Sequence, residues 1–544
     1  MDQPCDLILE NALLVDGTGA KPRKADVALR GDRIAEVSSG AALPEPVKAQ
    51  AKARVNLQGR VLCPGFVDVH AHGELEPFAD PSAAGKVLSG VTTEISGNCG
   101  LSPFPLYGEL RTRYEREARD EYQWGPEKLN WTSTAEYFTR LEEVGCSINR
   151  GFLLGHGCVR AAVRGYSDAP VAPSHKKQML DEVEKALDAG CFGLSTGLVY
   201  PPGCFADADE IIDLAKVCAR KGALYTSHMR SESDELEKAI DETLDVCRKS
   251  GARTQISHLK TAHARNWHKI KFLEERLWAE KRAGLDFHAD RYPYVASGTG
   301  LDAVLPRWAY AGGVAEELKR LRDPETNAKL KHEVLTLNNA PDYWSRVVVG
   351  GVVDDALRGE IAGKSIAEIA GAWKCEPWDA FVRITLEDKA RTSAIFFSMS
   401  EGNLEKILSW DFVMIGSDAT ARNVTGPTKV AHPHPRTFGT YPRMFARYVR
   451  EKKLFPLEEA VRRMTSLCAD TFHIEKRGRV AAGCFADLVV FDYDKIEDRA
   501  SFTDPNQFPV GIERVYVNGR LAALNGAVKD SRAGLVLRHG QKVN

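Results

Sequence analysis

The chain has 544 residues, too many for one ordinary core, and a hydrophobic content of 43% with 45 Gly and 26 Pro marks a loop-rich globular protein of several domains. A formal net charge of -2 gives no field for nucleic acid or an anionic membrane, and no run of 18 apolar residues exists to span a bilayer. Residues 1–5 lack the basic stretch of a signal peptide and the 12 cysteines form no Cys-x-x-Cys pair, so a cytoplasmic protein with free thiols and a small-molecule substrate is expected, without nucleic-acid or membrane partners.

Residues 6–60 read as short strands at 6–14, 26–29, 33–37 and 54–57, broken at Gly17, Gly31-Asp32 and Gln58-Gly59. The end of the chain has the same texture. Segments 486–492 and 511–517 are strand-like, Asn518-Gly519 is a hairpin-turn signal, and 534–537 is expected to close the set. The two ends, 1–60 and 480–544, are expected to pair into one small β-sandwich domain. From 61 to 479, apolar runs alternate with helical stretches, the pattern of a parallel α/β fold. Eight runs, at 66–72, 92–99, 151–156, 191–196, 223–230, 254–260, 285–292 and 412–418, predict a (β/α)8 TIM-like barrel. Its site would lie at the C-terminal ends of the strands. In one intervening helix, Leu236, Ile240, Leu244 and Cys247 share a face. Ser231-x-x-Asp234 is expected to cap its start, and Ser250-Gly251 to end it. Between the seventh and eighth runs an insertion is expected at about 298–365, partly helical over 301–322 and 326–338, either a lid or a decoration.

The last residues of the runs carry the chemistry. The first ends in His70 and His72, which point to the same side of a strand. The second ends in Asn98-Cys99, the fifth in His228, the sixth in His258 and the eighth in Asp418. Any one of these alone reads as a structural residue; all of them at one end of one barrel predict a metal site. Imidazoles with one thiolate suit zinc, whereas magnesium would want carboxylates. Gly97-Asn98 before Cys99 and Gly100 after it give the sharp turn that would face the thiol inward. Cys158, Cys191 and Cys204 also lie near strand ends, and His156 ends the third run. For these, small core residues and a hydrogen-bonded structural histidine are the plainer readings.

Several longer motifs carry a family resemblance. They are Gly90-Val91-Thr92-Thr93 through Gly97-Asn98-Cys99-Gly100, Ser195-Thr196-Gly197-Leu198-Val199-Tyr200-Pro201, Ser227-His228-Met229-Arg230-Ser231-Glu232 and Ser257-His258-Leu259-Lys260. With the His-x-His and final Asp, the chain resembles the N-acyl-D-amino acid deacylase (D-aminoacylase) branch of the amidohydrolase superfamily. The resemblance implies that Cys99, His228 and His258 hold one tightly bound Zn2+. His70 and His72, sharing Cys99, would form a second, weaker site, and Asp418 would be the catalytic acid/base. Many two-metal relatives bridge their ions with a carboxylated lysine on the fourth strand. Here that strand ends Leu194-Ser195-Thr196-Gly197, and the thiolate on strand two would substitute.

The expected reaction is zinc-dependent hydrolysis of an N-acyl-D-amino acid by metal-activated hydroxide, giving a carboxylate and a free D-amino acid. The D-form rests on the resemblance alone, and a cyclic amide, a D-dipeptide or an N-carbamoyl substrate would use the same machinery. The leaving amino acid has its own carboxylate. Lys260 lies two residues past His258 on the same side of the strand, and Arg436 offers a planar fork. Tyr292 or Tyr294 supplies a third donor; the resemblance points to Tyr292. Arg230, two past His228, is a further candidate, or else orients a nearby carboxylate. An acidic substrate side chain would need an extra cation, which the loop 419–432 offers in Arg422 and Lys429; Phe438, Trp308 and Leu301 would instead favour an apolar one.

Overall fold

The computed structural model describes residues 5–40, 42–45, 48 and 50–541; residues 1–4, read above for a signal peptide, lie outside the described residues. Its centre is a sheet of eight strands in chain order: Phe66–Asp68, Val91–Ser96, Asn149–Gly155, Gly193–Gly197, Leu224–His228, Thr254–Ile256, Phe287–Arg291 and Val413–Ile415. All neighbouring pairs are parallel, and a parallel bridge from Ala71 to Ala419 brings the first strand beside the eighth. This is the expected (β/α)8 barrel. Val67, Ile95, Leu153, Leu224 and Met414, with Phe192 and Phe472, form one apolar cluster from several strands. That packing fills the interior and leaves the polar strand ends as the working face.

Helix Leu236–Ser250 shows how the sequence builds the outer layer. Leu236, Ile240, Leu244 and Cys247 are all buried, and Gly251 ends the helix at φ 74. The start differs from expectation. No side chain caps it, and Ser231 Oγ accepts from Ser233 N (3.3 Å) and Glu235 N (3.2 Å) instead. Ser231 therefore orders the turn leaving the fifth strand, too far ahead of the N-cap position at Glu235 to cap the helix.

The chain ends share a nine-stranded sheet. Val61–Pro64 pairs with Leu7–Leu14 on one side and with Leu488–Phe491 on the other, so that sheet continues past residue 60. Asn518 and Gly519, at φ 50 and 75, make the tight turn between Ile512–Val517 and Arg520–Leu524. Residues 534–537 do not close this sheet. Arg150 N donates to the Leu535 carbonyl (2.8 Å) and Leu537 N to the Arg150 carbonyl (2.8 Å), so the segment lies along the start of the third barrel strand. The cause is a free backbone edge there, reinforced by Asn149 Oδ1, which accepts from Leu535 N at 3.1 Å.

The insertion is larger than expected. Ala296–Gly300, Ser393–Phe397 and Val347–Val349 form an antiparallel three-stranded sheet with Ser393–Phe397 in the middle. A unit whose central strand ends at Phe397 cannot stop near 365. Helices Val314–Arg322, Pro324–Leu337, Ile366–Trp373 and Pro377–Glu387 belong to the same unit, whose core contains Leu321, Trp344, Ile369 and Phe381. No helix among the described residues is long and apolar enough to cross a membrane.

Candidate active site

The ends of the barrel strands converge on the Cys99 sulfur. Gly97 makes this possible: its φ is +84, and a Cβ there would stand 2.1 Å from the Leu153 carbonyl oxygen. Asn98 Nδ2 donates to the Ile95 carbonyl (3.0 Å) and Ser195 Oγ accepts from Gly100 N (3.0 Å), which pins both flanks of Cys99. Cys99, His258 and Asp418 have φ of 52, 35 and 52, in the left-handed region. Such backbone costs a non-glycine residue about 1–3 kcal/mol and persists only where the surroundings impose it.

Cys99 Sγ lies 3.3 Å from His70 Nε2, 3.4 Å from His228 Nδ1 and 3.5 Å from His258 Nε2; the last two nitrogens are 3.0 Å apart. Donors around a tetrahedral zinc stand roughly 3.3–3.7 Å from one another. Both Cys99 separations fall in that range and the His228–His258 separation of 3.0 Å is a little shorter, so the three form a set that could hold one ion. A second set shares the thiol: His70 Nε2 and His72 Nε2 approach Asp418 Oδ1 at 3.5 and 3.1 Å. The ligand atoms of His70, His72, Cys99 and Asp418 all lie within 4.8 Å of one another.

Behind these rings stand two carboxylates that the sequence reading did not assign. Asp290 Oδ1 lies 3.1 Å from His70 Nδ1 and accepts from the His258 backbone N–H at 3.0 Å. Glu232 Oε1 lies 2.8 Å from His258 Nδ1 and also accepts from Lys260. Partners of this kind fix which nitrogen of each ring faces the centre. Glu232 closes the quoted Ser227–Glu232 motif and Asp290 precedes Arg291-Tyr292, so both lay in view; only their three-dimensional partners were missing.

The charges are set by these contacts. Burial alone would raise the Cys99 thiol, and His70, His228 and His258 more than reverse it, holding the group well below its usual range. Burial would also raise the Asp418 carboxyl; Arg436 and His70 hold it well below the ordinary value. His72 goes the other way: burial lowers it, and Asp418 and Cys99 lift it to about 10. A thiolate and a carboxylate beside His70, His72 and His258, whose protonated forms the neighbouring negative charges favour, form a donor set whose protons a bound cation would displace, while burial and His258 lower His228.

On the open side, Lys260 Nζ lies 2.8 Å from His258 Nδ1, and Arg436 Nη1 lies 2.8 Å from Asp418 Oδ2. Tyr292 sits between them. Its ring is 4.6 Å from the Arg436 guanidinium and 6.0 Å from Lys260 Nζ, and its buried hydroxyl has no hydrogen-bond partner. Tyr294 points elsewhere, toward the Pro435 carbonyl (3.5 Å). Two further residues join the site. His434 Nδ1 accepts from Arg436 N (3.0 Å), and Tyr200 packs on the His228 ring at 5.0 Å while its hydroxyl meets Thr299 Oγ1 of the insertion at 2.9 Å. The insertion also supplies the Gly298 carbonyl, which accepts from Arg436 Nη2 at 3.1 Å, so it walls the site.

Other candidates are committed elsewhere. Arg230 pairs with Glu242 (2.9 Å) and donates to the carbonyls of Cys204 and Ala206 (3.1 and 3.0 Å), so its guanidinium serves the scaffold and not the substrate side. His156 Nε2 lies 2.7 Å from Glu210 Oε1. Cys158, Cys191 and Cys204 are buried, and burial pushes the Cys158 thiol up to about 11. Arg422 donates to Thr420 Oγ1 (2.8 Å) and faces Glu76 at 4.0 Å, while Lys429 is exposed. Leu301 belongs to the core of the insertion, with Trp308 against it, and Phe438 packs on Phe508.

The pattern of the amidohydrolase family matches residues 411–523. The chain is similar to an N-acyl-D-glutamate deacylase of Alcaligenes xylosoxydans xylosoxydans, 35% identical over 548 residues that cover 100% of this chain and 98% of the relative. It is also similar to a D-aminoacylase of the same organism, 31% identical over 98% of both chains. Among solved structures, an N-acyl-D-glutamate deacylase from Bordetella bronchiseptica, complexed with zinc and a phosphonate inhibitor that mimics the reaction's tetrahedral intermediate, superposes with a TM-score of 0.82. That match is 31% identical and covers 98% of this chain and 100% of the other.

Proposed function

Since this chain belongs to the D-aminoacylase branch of the amidohydrolase superfamily, we propose that it is a zinc enzyme that hydrolyses the linear amide of N-acyl-D-amino acids, giving a carboxylate and a free D-amino acid. The observation that carries this reading is one small volume holding both halves of the chemistry. Cys99, His228 and His258 offer three donors at zinc-like spacing, and Lys260, Arg436 and the unpartnered Tyr292 hydroxyl stand beside them. Cys99, His228 and His258 would hold a zinc ion, which would supply Lewis acidity toward an amide carbonyl and toward water at neutral pH. His70 and His72, with the shared Cys99, offer a second and weaker site.

The side chains do the rest. Asp418 is kept ionised by Arg436 and His70, so it is ready to take a proton from the attacking water. It then returns that proton to the leaving nitrogen, without which the amine would be too poor a leaving group. Lys260, Arg436 and Tyr292 hold the carboxylate of the amino acid. Lys260 and Arg436 already neutralise Glu232 and Asp418, so the substrate carboxylate enters a balanced cluster, and its fit depends on placement more than on net charge. Tyr200 and the Gly298–Thr299 strand shield the group from water.

Asp418→Asn tests this. It should lower kcat by about 10²–10⁴-fold while the tightly bound zinc stays at the wild-type level. Turnover within a few fold of wild type in zinc-loaded Asp418→Asn protein would exclude this mechanism.

A further inference from the structure

Lys86 is a buried charge that the reaction does not use. It sits on the short helix Ala84–Val87, only 2% exposed, between the first and second barrel strands. A lysine is rarely buried without paired partners. This one reaches Asp68 Oδ2 (2.6 Å), Ser417 Oγ (2.7 Å) and the Ala419 carbonyl (2.9 Å), with Glu94 Oε2 at 3.3 Å.

Those partners lie at particular positions. Ser417 and Ala419 are the two neighbours of Asp418. Asp68 lies two residues before His70, and it also accepts from the Ser417 N–H (2.9 Å) and Ser417 Oγ (2.6 Å). Asp418 N donates to the His70 carbonyl at 2.7 Å, and Asp418 holds φ 52. The ammonium thus ties the first strand to the eighth where the barrel closes, and grips the left-handed turn carrying the carboxylate on both sides. The negative charges of Asp68 and Glu94 are matched by Lys86 and by Arg150, which lies 2.6 Å from Glu94.

We infer that Lys86 is a positioning residue for the reaction: through Ser417 and the Ala419 carbonyl it fixes the direction in which Asp418 faces the metal donors. This rests on the reading of Asp418 as the acid/base. The neutral Lys86→Met fills similar volume and removes every donor. In zinc-loaded, folded Lys86→Met protein, kcat should fall by roughly 10²-fold, as expected when a reacting group is displaced by about an ångström, with KM changed by less than about threefold. Zinc content should stay at the wild-type level. A purely structural role would lower Tm and leave kcat of the folded, zinc-loaded enzyme intact, and that result would overturn the inference. If Lys86→Met does not fold, Lys86→Met/Glu94→Gln removes one charge of each sign and is read in the same way. Asp418→Asn assayed in parallel separates the two claims. An inactive Asp418→Asn beside a fully active Lys86→Met overturns the positioning role alone; an active Asp418→Asn overturns the reading beneath it.

Discussion

At the scale of single residues, the site is a set of side chains aimed by strained backbone. Cys99, His258 and Asp418 all have positive φ, and no residue-type pattern marks such positions when glycine is absent. The strand-end histidines, Cys99 and the final Asp were legible because each closes an apolar run. Glu232 and Asp290 were not assigned, because their role comes from partners on neighbouring strands. Arg230, two after His228, left two readings open, a substrate contact or a partner for a nearby carboxylate, and Glu242 on the following helix is the partner it meets. Two predictions belong here. Cys99→Ser should reduce zinc content, measured by elemental analysis, more than His70→Asn/His72→Asn does, since the sulfur is common to both donor sets. Equal or smaller loss in Cys99→Ser would restore the histidine pair to first place. Glu232→Gln should cost about 10–100-fold in zinc affinity or turnover, as loss of a carboxylate behind a metal-binding imidazole does; a competitive chelator titration with steady-state kinetics reads it.

At the scale of elements, alternation of apolar runs and helices sufficed for the eight barrel strands, because each run is bounded by turn residues and followed by a helix with one apolar face. What the pattern misses is pairing. Segment 534–537 looks like another strand of the end sheet and instead lies along the third barrel strand, since backbone hydrogen bonds carry no residue code. The insertion was cut short for a similar reason: Ser393–Phe397 is the centre of its sheet yet is separated from its partners by most of the unit. Helix Ala208–Lys221 gives a pH test. Burial alone would raise the Glu210 carboxyl, and His156 and Arg160 pull it from 4.5 down to about 2. A depressed carboxylate contributes stability above its unfolded value and loses it as pH falls through the folded one. Glu210→Gln should therefore be less stable by about 3 kcal/mol at pH 7, and the gap should close between pH 4.5 and about pH 2. Urea unfolding across that range checks it; a gap independent of pH would contradict it.

At the scale of the whole molecule, the barrel carries the site and the insertion walls it through Gly298 and Thr299, while the sheet built from both ends joins the chain just before the first barrel strand. The segment that follows the end sheet is held against the starts of the third and fourth barrel strands: Gly534 N donates to the Cys146 carbonyl at 2.8 Å and His539 N to the Gly190 carbonyl at 2.9 Å. Ending the chain at residue 530 removes these bonds and should cost about 2–4 kcal/mol of stability by urea unfolding, while leaving the opposite, catalytic end of the barrel in place. The central claim concerns the substrate, and steady-state hydrolysis by purified, zinc-loaded protein tests it most directly. The panel is N-acetyl-D-amino acids with acidic and uncharged side chains, their L-forms, and hydantoins. The account predicts release of free amino acid from at least one N-acetyl-D-amino acid, with kcat/KM at least about 10²-fold above its L-form and above every hydantoin. Preferential hydrolysis of an L-form or a hydantoin would contradict it.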